Sequence, residues 1–247
     1  MSGINQLGTF GSGILYATPS GANATPVQFG ALQDASVDLS RSTKSLYGQF
    51  QQPLAIGGGE LKASGKAKMG YINAAIYSDL FYGVSRATGT VLLASNEPGT
   101  VPASTPWTVT TINSATWSKD LGVTYAGGGI LTRVASAPSA GEYSVASGVY
   151  TFSTADASAA VLISYEYTSA SSGTTTTVGR ILQGVQPIIT IDLFRGFNGT
   201  GERHRFWACV CSKLSLPTKL ADFAISEFDF EANVDPVTGN FHTIYTD

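Results

Sequence analysis

The sequence is poor in charged residues and has no excess of basic ones. Asp, Glu, Lys and Arg together make up 13% of the 247 residues, and the formal net charge is −3. A protein that binds DNA or RNA tightly needs a basic face to neutralise phosphates, and anionic membrane surfaces attract the same kind of patch. The composition therefore argues against both of these functions.

Long apolar runs are also missing. No stretch approaches the length of a membrane span, and the first residues, MSGINQLGTFGSG, lack the basic segment and apolar run of a signal peptide. We therefore expect a soluble protein that is made in a cytosol. Its two cysteines, Cys209 and Cys211, lie on one face of an apparent strand, where a bond between them would distort the backbone. We expect reduced, buried thiols.

Catalytic motifs are absent from the sequence. Neither G-x-S-x-G nor H-E-x-x-H occurs, and the two histidines, His204 and His242, belong to no nucleophile motif. These histidines and the two cysteines would make four zinc ligands, but a C-x-C pair on one strand lacks the turn that zinc loops use. The sequence predicts no enzymatic activity and no metal or other cofactor.

What the sequence does contain favours β structure with one helix. Gly, Ser, Thr and Ala are abundant, which suits short strands and turns. Between Glu60 and Met69 polar and small apolar residues alternate strictly, as in a strand with one wet face. Ile72, Ile76 and Leu80 then follow helical spacing, and Gly83 stands where a helix ends. We predict a β-sandwich or barrel flanked by one α-helix at 70–82.

Changes in composition divide the chain into four parts. Residues 1–25 form an N-terminal arm, 26–90 and 179–247 the two parts of the main domain, and 91–178 a second β-rich insertion. The arm is apolar enough either to dock on a neighbouring subunit or simply to fray. Residues 84–105 form a turn-rich boundary, and 169–177 form a flexible return to the main domain.

A long excursion separates the first two predicted strands of the main domain. Residues 41–59, RSTKSLYGQFQQPLAIGGG, show no sustained period, contain a proline and end in three glycines. Long loops in compact domains are often functional. Four side chains of this segment are large and apolar, and their exposure to water would be unfavourable. We expect them to form an inter-subunit contact: Leu46, Tyr47, Phe50 and Leu54.

Three segments together resemble the major tail tube proteins of long-tailed bacteriophages. Residues 29–83, from FGALQDASVDLS to IYSDLFYG, resemble the opening of those proteins, and residues 221–247, ADFAISEFDFEANVDPVTGNFHTIYTD, resemble their end. The segment from WSKDLGVTYAGGG to VLISYEYT resembles an extension found in phage virion proteins. The three segments cover a little over half of the chain.

This resemblance implies a structural protein of the virion. Such subunits assemble in the host bacterial cytoplasm into hexameric rings that stack into a hollow tube, and DNA passes through this tube into the host. The partners it implies are further copies of the chain, the tape measure, terminator and distal tail proteins, and transiently the DNA.

A conduit for DNA favours a wall that does not bind phosphates, because each neutralising Lys or Arg adds salt-dependent affinity. Carboxylates repel DNA over roughly 8 Å at physiological salt. We therefore expect five acidic residues to face the lumen of the tube. They are Asp34, Asp38, Glu227, Asp229 and Glu231.

Two other kinds of function remain open at this point. The chain could be another virion component, either a tail terminator or a capsid decoration protein. It could also be a carbohydrate-binding β module, because exposed aromatic residues such as Trp107, Trp117 and Tyr125 stack on sugars, although such residues more often pack in a core.

Overall fold

The computed structural model describes residues 11–21, 24–197 and 200–246. The prediction of a mainly β protein with one helix is confirmed, since strands hold 58% of the residues and helices 7%. The described strands are β1 (Ile14–Pro19), β2 (Val27–Gln28), β3 (Leu32–Tyr47), β4 (Pro53–Met69), β5 (Arg86–Thr100), β6 (Thr108–Thr110), β7 (Trp117–Tyr125), β8 (Thr132–Arg133), β9 (Glu142–Ala146), β10 (Val149–Phe152), β11 (Ala160–Thr176), β12 (Ile189–Phe197), β13 (Thr200–Ser215), β14 (Ser226–Asn233) and β15 (His242–Thr246).

The chain forms two compact units. Unit 1 comprises the described residues up to Ser85 and from Thr176 onward, and unit 2 is Arg86–Thr175. The sequence-based limits of the insertion, 91 and 178, lie close to these two points. Along the sequence, unit 2 thus lies between the two segments that form unit 1.

Unit 1 is built on one antiparallel sheet of eight strands. Its order is β2-β1-β12-β13-β14-β4-β3, and β15 pairs with β13 beyond the end of β14. The sheet curls, so that β3 faces β12 and β13 across a cavity. The alternation predicted for β4 is observed, because Ala63, Ala67 and Met69 are buried while the lysines between them are exposed.

One helix, α1 (Ile76–Tyr82), packs into the core of unit 1. Ile76 and Leu80 are fully buried against residues of the sheet, as their spacing predicted. Gly83 ends the helix in the left-handed conformation with φ 65°, which glycine adopts without a Cβ penalty. The helix differs from the prediction in two ways: it begins later than residue 70, and its hydrogen bonds are of the π type.

The N-terminal stretch differs from the predicted arm. Residues 1–10 lie outside the described residues, but Ile14–Pro19 forms β1, which pairs with β12 along its whole length. Leu15 and Ala17 are buried in the core. Because β1 pairs with the edge of β12 and places two side chains in the core, this part of the chain belongs to the sheet of unit 1.

Residues 41–59, predicted to be a loop, instead continue two strands. β3 and β4 form one long hairpin, whose register runs from Leu32 opposite Met69 to Tyr47 opposite Pro53. Only residues 48–52 form the turn. Cross-strand hydrogen bonds hold this segment extended although neither of its faces is covered. Because neither face is buried, its sequence does not alternate between polar and apolar residues, and the pattern did not predict strands.

Unit 2 contains two small sheets. One has the order β6-β10-β9-β8 and the other β5-β11-β7. Their aromatic and β-branched side chains form a separate core that includes Tyr143, Tyr150, Phe152, Ile163 and Tyr165. The second β-rich segment predicted from the sequence therefore has a hydrophobic core of its own.

Two stretches at the borders of unit 2 were predicted as turns or flexible chain and are strands. β5 covers Arg86–Thr100, and β11 extends through the predicted flexible return to Thr176. The two strands are neighbours in one sheet. Thr-rich sequence has good β propensity once a partner strand is present, and that partner is far away in the sequence.

Candidate assembly surfaces

The outer half of the β3–β4 hairpin, residues 38–62, is exposed along its whole length. We call it the distal hairpin. Every one of its residues is exposed, whereas Ala63 and the inward residues that follow it in β4 are buried. At the usual rise per residue, the part of β3 from Asp38 to Tyr47 measures roughly 30 Å.

All four predicted contact residues lie near the tip of the distal hairpin. Leu46, Tyr47, Phe50 and Leu54 are between 60% and 66% exposed. The structure adds apolar side chains that the sequence analysis did not select: Leu39, Ile56 and Leu61.

Apolar side chains occupy both faces of the distal hairpin. Leu46 lies opposite Ala55, and Ile56 lies opposite Ser45. Because side chains alternate along a strand, Leu46 and Ile56 point to different faces. A monomer therefore presents an apolar, two-sided projection to solvent.

The five predicted lumen residues share one face of the sheet in unit 1. Asp34 and Asp38 lie on β3, and Glu227, Asp229 and Glu231 lie on β14, with β4 between them. Residues directly opposite each other in neighbouring strands share a face. The structure thus brings the two acidic groups to the same surface.

That surface also carries a central row of lysines. Lys68 lies between Asp34 and Glu227 in the register, and Lys66 lies opposite Asp229. The Lys68 ammonium is 4.0 Å from Asp34, and Lys213 is 3.4 Å from Glu227. We call this surface the charged face; its members are Asp34, Asp38, Lys62, Lys66, Lys68, Lys213, Glu227, Asp229 and Glu231.

The charged face is close to neutral overall. Five carboxylates and four lysines leave a formal charge of −1. An acidic or neutral wall was expected, and only its carboxylates were selected, because the sequence alone does not align the lysines of β4 with the carboxylates of β3 and β14. The arrangement is one of parallel stripes of alternating sign.

An ion cluster that the sequence analysis missed lies on β12 and β13. Asp192 is buried and accepts hydrogen bonds from Arg203 and from Arg205, at 2.8 to 3.0 Å. The Arg203 guanidinium lies about 5 Å from the rings of both Phe194 and Tyr245. These contacts join β12, β13 and β15 and have a structural role.

The aromatic residues considered for carbohydrate binding belong to the packing of unit 2. Trp107, Trp117 and Tyr125 are half-buried against its core. The Trp117 indole donates to the Tyr150 hydroxyl at 3.3 Å, and the Tyr125 hydroxyl donates to Asp156 at 2.7 Å. They do not form an exposed aromatic platform.

Unit 2 contains a buried carboxylate that links its two sheets. Asp120 on β7 accepts hydrogen bonds from the hydroxyls of Tyr143 on β9, at 2.7 Å, and Tyr150 on β10, at 3.0 Å. Burial raises the pKa of both tyrosines above the ordinary value of 10. Both hydroxyls therefore remain donors at neutral and mildly alkaline pH.

Within the described part of the chain, no three His, Cys, Asp or Glu side chains are placed to hold a metal ion. His204 and His242 meet, but the two cysteines do not join them as a ligand set. The described helices include none with the length and apolar character to cross a membrane.

No protein-family profile matches the sequence, and no curated protein matches it significantly.

Proposed function

We propose that this chain is a structural virion subunit that assembles into stacked hexameric rings, which form the hollow tail tube of a long-tailed bacteriophage. The observation that carries the proposal is the distal hairpin, which exposes large apolar side chains on both faces over roughly 30 Å. Soluble monomers rarely leave a projection of this kind uncovered. Insertion of the hairpin between neighbouring copies covers it.

The energetic gain from such insertion is large enough to drive assembly. Burying one large apolar side chain contributes about 1.5 to 3 kcal/mol before ordering costs are subtracted. Leu46, Tyr47, Phe50 and Leu54 together therefore offer several kcal/mol per copy, and a ring repeats the contact at every subunit. In this proposal the contact is heterologous, and its repetition by a closing rotation gives a ring.

The charged face supplies the wall of the DNA channel in this proposal. A nearly neutral striped surface has little net attraction for phosphates, so few counterions are released when DNA approaches it. The lysine row is held next to carboxylates on both sides, which reduces its attraction for phosphates. In this role the subunit also contacts the tape measure, terminator and distal tail proteins, and it is assembled in the bacterial cytoplasm.

The test is electron microscopy of the concentrated full chain, with the molar mass of the same sample from size-exclusion chromatography and light scattering. We expect hollow tubes or stacked rings. A single closed ring would instead indicate a terminator, and a capsid-binding monomer would indicate a decoration protein. Selective signals on a glycan array would support the carbohydrate-binding alternative.

Two variants test the role of the distal hairpin. Leu46→Ser combined with Phe50→Ser should give a folded monomer that forms no tubes, and so should deletion of residues 44–53. The matched control is Ile112→Ser with Ile130→Ser in unit 2, because these side chains are 84% and 85% exposed. Tubes formed by both hairpin variants would show that this segment is not the subunit contact.

A further inference from the structure

The only two histidines of the chain are in direct contact. His204 lies on β13 and His242 is the first residue of β15. Nδ1 of His204 is 3.1 Å from Nε2 of His242. The ring of His242 also stacks on Phe206, with centroids 4.3 Å apart and planes 1° from parallel. Both imidazoles therefore take part in joining β15 to the sheet.

Hydrogen-bond direction assigns the protons of this pair. Nη2 of Arg195 is 3.1 Å from Nε2 of His204, and a guanidinium can only donate. Nε2 of His204 is therefore the acceptor, and the proton of this ring is on Nδ1. That proton is donated to Nε2 of His242. The series of hydrogen-bond donors runs from Arg195 through His204 to His242.

An additional proton on either ring breaks this series of hydrogen bonds. Protonation of His204 at Nε2 places a donor against the Arg195 guanidinium, and protonation of His242 at Nε2 places a donor against His204. In either case one of the two hydrogen bonds is lost. Two protonated rings at this distance would also repel each other.

Of the charged groups around the two histidines, one opposes an additional proton and another favours it. From β12, Arg195 opposes a further positive charge; from β13, Glu202 favours it, with Oε2 3.4 Å from Nε2 of His204. Glu202 is shared, because it also forms an ion pair with Arg195. β3 contributes the apolar side chains of Val37 and Leu39, across a cavity of about 330 Å³.

The remaining charged groups nearby lie on the other face of the sheet. Asp192, Arg203 and Arg205 bind one another there, and Tyr245 of β15 packs on Arg203. Burial and the neighbouring His204 lower the pKa of His242 below its ordinary value of 6.5. The folded protein thus resists protonation of His242.

We propose that His204 and His242 form a pH-operated latch that fastens the C-terminal strand β15 to β13 at neutral pH and loosens it on mild acidification. Loosening uncovers the backbone edge of β13 between Glu202 and Phe206, which β15 covers. It also opens the cavity that His204 and Phe206 line. This inference does not depend on the proposed function.

The experiment is hydrogen–deuterium exchange on the full chain at pH 7.5 and pH 5.5, corrected for the intrinsic pH dependence of exchange. We expect protection of the β15 amides to fall by at most about tenfold, the limit for an imidazole that has the ordinary pKa of 6.5 when β15 is loose and takes up no proton when β15 is bound. The amides of β14, which pairs with the same edge of β13 further along, should keep their protection. Unchanged protection of β15 would overturn the proposal.

His242→Gln is the matched variant, because its amide oxygen can accept the hydrogen bond from His204 but takes up no proton in this range. Its β15 should be protected at pH 7.5 and lose less protection at pH 5.5 than the natural chain. An equal loss would overturn the proposal. If β15 of the variant is not protected at pH 7.5, nitrogen NMR of the two imidazoles in the natural chain is the deciding measurement. The tautomers assigned above, together with a coupled titration of the two rings, would support the latch. Two rings that titrate independently near pH 6.5 would contradict it.

Discussion

Gly65 on β4 lies directly opposite Phe230 on β14, and the phenyl ring occupies the space above the glycine. A Cβ at Gly65 would approach Cε1 of Phe230 to 2.5 Å, closer than two carbon atoms can pack. Phe230 is itself fully buried. The absence of a side chain at residue 65 thus lets β14 bring its aromatic residues into the core of unit 1.

Substitution of Gly65 by alanine should destabilise unit 1 by about 1 to 3 kcal/mol, the usual cost of overpacking a core. Thermal or urea unfolding would measure the loss. Gly57→Ala on the same strand is the control, because the nearest atom to its Cβ is a backbone oxygen at 3.9 Å. Equal stability of the two variants would contradict the packing explanation.

Replacing Asp120 by alanine should destabilise unit 2. The substitution leaves the hydroxyls of Tyr143 and Tyr150 without their acceptor inside the core, and each unsatisfied group costs about 1 to 3 kcal/mol. Asp120→Asn keeps one acceptor oxygen and should lose less. Calorimetry of the two variants would separate them, and an alanine variant as stable as the natural chain would refute the linking role of Asp120.

The two cysteines should not react with thiol reagents in the native protein. Burial raises the pKa of both Cys209 and Cys211 to about 12, so the reactive thiolate is scarce at pH 8. Labelling with a maleimide should be slow in buffer and complete in denaturant, where both thiols become accessible. Rapid labelling of Cys209, which is fully buried, without denaturant would show that β13 opens readily.

If the chain forms the proposed tail tube, reversal of three carboxylates on the charged face should make the tubes bind DNA. Glu227→Lys, Asp229→Lys and Glu231→Lys together surround the lysine row with further positive charge, so the binding should weaken as salt rises. In an intact phage the same change should slow ejection. DNA retention by purified tubes at low and high salt is the measurement.

The control for this experiment reverses the same number of charges on the same face. Lys62→Glu, Lys66→Glu and Lys68→Glu should give tubes that retain no DNA. Microscopy must show tubes for both triple variants. Tubes of the lysine-rich variant that retain no more DNA than natural tubes would indicate that the charged face does not line the channel.

The stability of unit 1 should depend on pH through His242. Its folded-state pKa lies below the unfolded value of 6.5, so acidification through 6.5 protonates the unfolded chain while the folded chain resists. The free energy of unfolding should therefore fall between pH 7 and pH 5 and be independent of this group above pH 7.5. Denaturant titrations at several pH values would show this slope, and His242→Gln should flatten it.

Local patterns were sufficient to predict several elements of the fold. The alternation in β4 predicted which of its faces is buried, because one side packs on a core and the other meets water. Ile76 and Leu80 identified the buried side of the helix, and Gly83 its end. Each of these signals is contained in a few neighbouring residues.

The distal hairpin was not predicted for a physical reason. Its residues are exposed on both faces, so no alternation of polar and apolar side chains marks them as strands. Three glycines and Pro53 then suggested a loop. Only the pairing of β3 with β4 shows that the segment is extended, although the apolar side chains that make it a candidate contact could be chosen from the sequence.

The sequence by itself determined the β-rich class, the buried faces of single elements and the residue types available for contacts. The tertiary structure decided which elements meet. It aligned the lysines of β4 with the carboxylates of β3 and β14, and it brought His204 against His242 from a distant part of the chain. Such contacts depend on strand register between segments far apart in sequence, and a side-chain pattern within one segment carries no information about that register.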